Sequence, residues 1–250
     1  MCQSDTQRVR AEALASLAGW ARWADRAPQV ACTEIDDLDT GPEWRAALGA
    51  LTTMLQDRVG WTEASDLVQT LAHRDDALDL NAGPDRDRPS AQRLVAVLHA
   101  AAELPRYARA HHRAELLHIA DLLGDRAEFT PDEFVIRLAA MDWTAPTPTV
   151  AALAVRLDDR PLLTEGTMSA LAHALGRDQA AWGLLTLEEA ADHLTGFRSS
   201  GSGALALQLV RSAGSRFDWP EPWRARLRTL RSHPVEDVAI LAKRAWAAVE

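Results

Sequence analysis

The chain contains 250 residues, of which 47% are hydrophobic, so it has enough apolar surface to bury a core, and intrinsic disorder is excluded. Its 36 acidic residues outnumber the 27 basic ones, and the resulting net charge of −9 disfavours binding of polyanions by the surface as a whole. Alanine, leucine, arginine and glutamate dominate the composition, which is typical of helices rather than of sheets.

The cysteines and the apolar segments indicate the cellular compartment of the protein. Cys2 and Cys32 lack the CxxC spacing of a zinc site or a disulfide framework and favour a reducing compartment. The polar N-terminus lacks the apolar core of a signal peptide, and the most apolar stretch, residues 94–104, falls short of the ~20 residues that span a bilayer. We therefore predict a cytoplasmic protein that is not inserted in a membrane.

Apolar residues recur at helical spacing along nearly the whole chain, which predicts an all-α fold. The predicted architecture is an irregular array of about 11–13 short antiparallel helices. The first helix is predicted over residues 4–26, ending before Pro28, with an inward face of Ala13, Leu17, Trp20 and Ala24. A polar connection over residues 29–41 follows, and the helices that begin at Pro42 and after Gly60 should form a hairpin.

The longest break in the helical pattern is residues 74–89, which are rich in aspartate, arginine, glycine and proline. We place a boundary there, between an N-terminal helical region over residues 1–89 and a helical array over residues 90–250, with one continuous domain as the alternative. Thr130–Glu133 and Thr186–Glu189 have capping-box sequences that predict helix starts. The last three helices are predicted over residues 203–213, 221–232 and 235–249.

The last 30 or so residues carry a pattern that resembles one HEAT repeat. It consists of Leu227, Leu230, the turn His233-Pro234, Val238, Ala242, Ala245 and Trp246. HEAT repeats alternate a leucine-bearing helix, a proline-containing turn and a V-x-x-x-A-x-x-A-L helix, with a period of ~40–47 residues. The chain departs from this pattern at Ser232, where an aspartate is usual, and at Ala239, where an arginine is usual. The resemblance implies a HEAT-like α-solenoid over residues 90–250, with an extended concave binding surface.

An aspartate-rich string, Asp75-Asp76-Ala77-Leu78-Asp79, resembles the DDxxD motif with which isoprenoid synthases hold magnesium ions against a diphosphate. Carboxylate oxygens suit Mg²⁺, so Asp75, Asp76 and Asp79 are the candidate metal ligands. The chain contains neither a second DDxxD motif nor the N-D-x-x-S-x-x-x-E string that this family also needs. A solvated acidic loop is therefore the alternative interpretation.

Two further patterns have structural alternatives. His111, Glu115 and His118 lie at helical spacing, and Glu115-x-x-His118 is half of a di-iron carboxylate signature, but a solvated helix face gives the same spacing. Residues 199–203, Ser-Ser-Gly-Ser-Gly, precede a helix whose N–H groups could hold an anion. They lack the G-K-[ST] ending of a phosphate-binding loop, so a connection between helices is the alternative.

Basic residues are concentrated near the C-terminus, where residues 197–250 hold nine of them against five acidic residues. We define the arginine strip as Arg224, Arg226, Arg228 and Arg231 together with Trp219 and Trp223. Such a strip could bind nucleic acid, as in HEAT-like DNA glycosylases, where arginines follow the phosphates and tryptophans flank the base. The same residues could instead bind a protein, or form a solvated face above packed tryptophans.

No motif predicts a catalytic residue or a cofactor, because HExxH, GxSxG and paired CxxC strings are missing. We therefore predict a non-catalytic HEAT-like scaffold or adaptor that binds another protein, one version being an immunity-type inhibitor of a basic partner. The alternatives are a DNA-binding or DNA-repair protein that uses the arginine strip, and a magnesium-dependent isoprenoid-type enzyme that uses Asp75–Asp79. Trp20 and Trp23 cannot both occupy a narrow core stripe, so one of them could face a partner.

Overall fold

The computed structural model describes residues 3–39, 41, 43–74, 89–124 and 126–245, which form helices joined by short connections. These residues contain fourteen α-helices and one 3₁₀ turn, and no strand occurs among them. The predicted all-α fold is confirmed. None of the described helices is long and apolar enough to cross a membrane.

Tertiary contacts divide the chain into two compact units, Met1–Ala140 and Met141–Glu250, which we call the first and the second unit. The boundary predicted after residue 89 lies inside the first unit. The helices of the first unit are α1 Gln3–Trp20, α2 Ala27–Asp36, α3 Trp44–Gln56, α4 Trp61–Ala72, α5 Pro89–Ala102, α6 Arg106–His111, α7 Arg113–Gly124 and, after the 3₁₀ turn Ala127–Phe129, α8 Thr130–Ala139. The helices of the second unit are α9 Thr147–Leu157, α10 Pro161–Arg177, α11 Leu184–Thr195, α12 Ser200–Arg216, α13 Glu221–Arg231 and α14 Glu236–Arg244.

The segment predicted as a polar connection, residues 29–41, is helical over most of its length as part of α2. Pro28 lies in the first turn of this helix, where the missing N–H has no partner to lose, so the proline begins a helix instead of ending one. Ala31 and Ile35, one turn apart, are both fully buried. The prediction was wrong because half of the residues of this short helix, Ala31 and Ile35 among them, are buried and hold it on the core.

The first helix buries a different face from the predicted one. Leu14 is buried in the core, with Leu17, Ala18 and Ala21 packed against it, whereas Trp20 is 61% exposed. The inward stripe is displaced by one residue, or about 100° around the axis. Small side chains at Ala18 and Ala21 let α1 approach the core closely, and a tryptophan in the same stripe would hold it away.

Both predicted capping boxes precede helices, but neither has the predicted geometry. Thr130 is the first residue of α8 rather than its cap, and its hydroxyl donates to the Ala127 carbonyl at 2.8 Å. Thr186 lies in the first turn of α11, where its hydroxyl accepts from the backbone N–H of Gly183 at 3.2 Å. The capping threonines therefore bond backward from within the helix, because each helix begins earlier than the box predicted.

Buried arginines close helix ends in the first unit. Arg93 donates from Nη1 to the carbonyl oxygens of Ile35 and Asp37, both at 2.6 Å, at the end of α2. Arg109 donates from Nε to the Leu104 carbonyl and from Nη1 to the Ala139 carbonyl, both at 2.7 Å. The last carbonyls of a helix lack partners within the helix, so these guanidinium groups satisfy acceptors that would otherwise be buried and unpaired.

The second unit is built around α12. Every residue from 201 to 210 is buried, and the helix packs against α9, α10, α11, α13 and α14. Two glycines allow the close approach, since a Cβ at Gly201 would lie 2.3 Å from the Ala154 carbonyl oxygen and one at Gly203 would lie 2.9 Å from the Val238 side chain. A central helix that touches helices far from it in sequence differs from a solenoid, in which each repeat contacts its neighbours.

The segment that resembles a HEAT repeat forms two packed helices, α13 and α14, joined by the turn that contains His233 and Pro234. Leu227, Leu230, Val238 and Ala242 are buried, as the periodicity predicts. Leu241, three residues after Val238 at helical spacing, is 40% exposed. Trp246 lies outside the described residues. The pair of helices is confirmed, and its assignment to a HEAT-like array stays a prediction.

The thiol of Cys32 is buried on α2, and desolvation raises its pKa to about 12. In a Cys2→Ser variant, we expect the native chain to react with a thiol reagent at about pH 8 roughly a hundredfold or more slowly than the urea-unfolded chain, because only the thiolate reacts. The raised pKa stabilises the fold fully below about pH 8.5, and this contribution declines as the pH rises towards the folded value. Similar reaction rates for the native and unfolded chains would contradict the burial.

Candidate functional site

The predicted metal ligands Asp75, Asp76 and Asp79 lie outside the described residues. Within the described part of the chain, no group of three or more histidine, cysteine, aspartate or glutamate side chains is arranged to hold a metal ion. Glu115, which belongs to the Glu115-x-x-His118 half of the predicted di-iron signature, has Oε1 3.3 Å from Nδ1 of His112. The ring of His112 is stacked on Trp61 at 4.8 Å between centroids, so this histidine belongs to the packing of the first unit.

Most of the charge of the arginine strip is matched by neighbouring carboxylates. Arg226 binds both carboxylate oxygens of Asp192 at 2.7 Å. Arg224 and Arg228 both pair with Glu221, and the hydrogen bond from Arg228 is the main cause of a lowered pKa at that glutamate. The predicted strip is therefore bound to acidic side chains of the second unit.

The remaining members of the arginine strip have packing roles. The Arg231 guanidinium donates to the carbonyl oxygens of Ala242 at 3.4 Å and Ala245 at 3.2 Å, at the end of α14. Trp223 is completely buried, with the Arg226 guanidinium 5.1 Å from its ring centroid, and Trp219 is 8% exposed. The structure thus places the predicted site residues together, but as packed and paired groups.

A cleft of about 870 Å³ opens in the second unit between α10, α12 and the C-terminal end of α14. We call it the arginine cleft, because three of the basic residues near the C-terminus line it. Its polar lining is Gln179, Gln208, Arg211, Ser212, Ser215, Arg216, Asp218 and Arg244, and its less polar lining is Ala172, Leu175, Gly176, Trp182, Trp219 and Ala245. Trp219 is the one residue of the arginine strip that also lines this cleft.

The three arginines of the cleft differ in how they are held. Arg216 donates to the backbone carbonyls of Gln179 and Trp182, and its guanidinium lies 4.3 Å from the ring centroid of Trp182. Arg211 and Arg244 are exposed, and neither has an ion pair or hydrogen bond with any described residue. Among the described residues, the cleft therefore presents two guanidinium groups without a partner and one that is fixed in place.

One face of α12 supplies half of the polar lining residues. Gln208, Arg211, Ser212 and Ser215 follow the i, i+3, i+4, i+7 spacing that puts side chains on one side of a helix. Gln208 donates from Nε2 to the hydroxyl of Ser212 at 3.0 Å, which orients the amide towards the same face. Sequence analysis missed this face, and the signal available for it was a polar stripe along an otherwise apolar helix.

The connection from α12 to α13 has a strained backbone beside the cleft. Asp218 and Trp219 have positive φ values of 57° and 52°, which side chains other than glycine rarely adopt. The turn is held by the N–H of Trp219, which donates to the Gly214 carbonyl at 2.8 Å. A Cβ at position 214 would lie 2.4 Å from the Trp219 ring, so the glycine makes room for the indole. Strained residues of this kind cluster at binding sites, where they hold a side chain in a chosen position.

The serine- and glycine-rich start of α12 already faces an anion supplied by the protein. The N–H of Gly201 donates to Oδ1 of Asp158 at 2.9 Å, and the hydroxyl of Ser199 accepts from the N–H of Ser202 at 3.3 Å. A carboxylate at a helix N-terminus is stabilised by the unpaired N–H groups there. Residues 199–203 therefore fit the interpretation as a connection between helices, in which the Asp158 carboxylate takes the position of an external anion.

The paired tryptophans of the first unit are both exposed. Trp20 is 61% and Trp23 is 81% exposed, and the N–H of Trp23 donates to the Trp20 carbonyl at 2.8 Å in the turn that ends α1. Sequence analysis predicted exposure for one of them only. Two neighbouring exposed indoles form an apolar surface of the kind used in protein contacts.

The chemistry of the arginine cleft is that of a binding site for acceptor groups. Its charged side chains are three arginines and one aspartate, and arginine stays protonated and donates hydrogen bonds at any physiological pH. A proton-transfer site needs groups that titrate near neutral pH, whereas this lining has a fixed positive charge. No protein family, curated protein or solved structure matches this chain, so the residues of the cleft carry the functional inference.

Proposed function

We propose that this chain is a non-catalytic binding protein that recognises a partner protein through the arginine cleft. The observation that carries the proposal is a cleft of about 870 Å³ whose exposed arginines, Arg211 and Arg244, are not paired with any described residue. Its volume lies in the usual range for ligand sites of roughly 300–1,000 Å³. Because these two guanidinium groups have no partner among the residues that the structure describes, they are available to a partner outside the chain.

A contrast within the second unit supports this choice of site. Arg226 is matched to Asp192 of the neighbouring helix α11, and Arg228 is matched to Glu221 of its own helix α13. Arg211 and Arg244 line a concavity without such a match. Removal of an unmatched charge should affect binding and leave folding nearly unchanged, which is the pattern of a recognition residue.

The other sequence-based functions stay predictions. DNA binding through the arginine strip has less support, because Arg224, Arg226 and Arg228 already bind carboxylates. The isoprenoid-type enzyme depends on Asp75–Asp79, outside the described residues. An inhibitor of a basic partner would use the acidic surface, whereas the arginine cleft has the opposite charge.

The proposal is tested by capturing partners with the tagged full-length chain and an Arg211→Glu variant. We expect the wild-type chain to retain a protein in stoichiometric amount and the variant to lose it, because reversing an interface charge replaces attraction by repulsion. The matched control is Arg198→Glu, which makes the same change at an exposed arginine outside the cleft lining. The melting temperature of each variant should stay within about 2 °C of the wild type, since Arg211 has no described partner to lose.

Two results would contradict the proposal. In the first, the wild-type chain is recovered alone in repeated captures. In the second, the same partner is retained equally by the wild type, Arg211→Glu and Arg198→Glu, so that the contact lies elsewhere on the chain. A variant that loses the partner and also melts at a markedly lower temperature is replaced by Arg211→Gln, which removes the charge and keeps much of the side-chain volume.

A further inference from the structure

We infer that the arginine cleft takes an acidic peptide segment, with carboxylate side chains at Arg211 and Arg244 and an apolar side chain on the floor. The inference rests on the proposed function and names the chemistry of its partner.

The charge of the cleft selects an anionic ligand. Three arginines face one aspartate, Asp218, in a chain whose net charge is −9, so the cleft has the opposite sign to the protein as a whole. The planar guanidinium groups of Arg211 and Arg244 match the geometry of a carboxylate, which accepts two parallel hydrogen bonds. A short acidic ligand can form ion pairs with these guanidinium groups, whereas positive or neutral ligands cannot.

The uncharged lining favours a peptide over a phosphate. Gln179 and Gln208 each carry a donor and an acceptor, and Ser212 can act as either. A peptide backbone alternates N–H and C=O groups and can use both kinds of partner, whereas a phosphate only accepts. Asp218 at the same cleft repels a dense negative charge and can accept a hydrogen bond from a backbone N–H.

The charge of the second unit also disfavours a nucleic acid. A duplex carries a negative charge every ~1.7 Å along its axis, so it extends beyond the cleft. Outside the cleft lining, residues 141–250 hold 12 acidic and nine basic residues. A peptide of a few residues meets only the cleft, and it therefore gains the local attraction without the wider repulsion.

The floor of the cleft gives the segment an apolar contact. Trp219 and Trp182 both line the cleft but are mostly buried, at 8% and 5% exposed, so the floor offers a ligand a small apolar edge of each indole. The strained turn at Asp218 and the absence of a side chain at Gly214 fix the indole of Trp219. Rigid aromatic side chains of this kind anchor partners with little loss of conformational entropy.

The test is fluorescence anisotropy of a labelled eight-residue peptide that contains four glutamates and one leucine, titrated with the full-length chain at low salt. We expect saturable binding that is about tenfold weaker for the matched peptide with glutamine in place of glutamate. Arg211→Ala and Arg244→Ala should each weaken the binding about two- to fivefold, the usual range for one exposed charge pair. Arg198→Ala should leave it unchanged, and added salt should weaken it.

Three outcomes overturn the inference. The first is equal binding of the glutamate and glutamine peptides, and the second is unchanged binding by the Arg211→Ala/Arg244→Ala double variant. The third is that tripolyphosphate or a short oligonucleotide competes more strongly than the unlabelled acidic peptide. The last outcome would assign the cleft to phosphate chemistry. Failure here is distinguishable from failure of the proposed function. A captured partner that depends on Arg211, without binding of the acidic peptide, leaves the partner site intact and removes only this ligand class.

Discussion

Replacing Gly201 by alanine should lower the free energy of unfolding of the second unit by about 3 kcal/mol or more, at the upper end of the usual effect of overpacking. The added Cβ would lie 2.3 Å from the Ala154 carbonyl oxygen and 2.8 Å from Cβ of Leu157. A backbone oxygen cannot rotate out of the way as a side chain can. Either α12 or α9 must therefore move, and such a shift disturbs the whole unit because α12 packs against five other helices.

The same shift should break a specific hydrogen bond. The N–H of Gly201 donates to Oδ1 of Asp158. Moving α12 away from α9 would break this bond and leave the N-terminus of α12 without its carboxylate partner. Thermal and urea unfolding followed by far-ultraviolet circular dichroism should show the transition of the second unit lowered by about 10 °C or more. An Asp158→Asn variant, which removes the charge without adding volume, should cost only about 0.5–2 kcal/mol.

The matched control for this substitution is Gly166→Ala in α10. A Cβ at position 166 meets no atom within 4 Å, and the residue is exposed on the helix. Alanine is a better helix former than glycine, so this variant should be more stable than the wild type by about 0.5–1 kcal/mol. A loss of stability on Gly201→Ala and a gain on Gly166→Ala would distinguish the effect of close packing from that of helix propensity. Equal small effects at Gly201 and Gly166 would mean that α12 does not approach α9 as closely as described.

Periodicity predicted the parts of this fold that a single helix determines for itself. The stripe formed by Leu227 and Leu230 and that formed by Val238 and Ala242 are buried as predicted, because the residues of one face are close in sequence. The inward face of α1 was predicted wrongly because Trp20 is apolar but too large for the space beside the core. Helix α2 was missed because Pro28 and the polar residues around Thr33 interrupt the apolar pattern to which the buried Ala31 and Ile35 belong.

The candidate site was harder to predict because the role of an arginine depends on its spatial neighbours. Arg226 and Arg211 are both exposed basic residues by their sequence context, yet Arg226 meets Asp192 from a helix 34 positions away and Arg211 meets no described carboxylate. Nothing local distinguishes these two environments. The excess of basic residues over 197–250 indicated the correct region, and the tertiary packing selected different members of that set for the arginine cleft.

The second large effect on stability is expected at Trp223, which was predicted to bind a partner as part of the arginine strip but is completely buried. Trp223→Ala should destabilise the second unit by about 3–5 kcal/mol, through the loss of buried apolar area and the cavity that remains. The substitution would also remove the ring beneath the Arg226 guanidinium, whose pairing with Asp192 would then lose its support. Urea unfolding followed by circular dichroism measures the change without relying on tryptophan fluorescence.

Trp223→Phe distinguishes packing from hydrogen bonding at the same position. The indole N–H of Trp223 is buried and has no acceptor among the described residues, so phenylalanine removes an unsatisfied donor while it keeps most of the ring. The loss of volume and the removal of the donor oppose each other, and we expect a net change of less than about 1.5 kcal/mol. Trp23→Ala, at a residue that is 81% exposed, should change stability by less than about 0.5 kcal/mol. A Trp223→Ala protein as stable as Trp23→Ala would contradict the buried position of Trp223, and with it the packing of α13 on α12 that closes one side of the second unit.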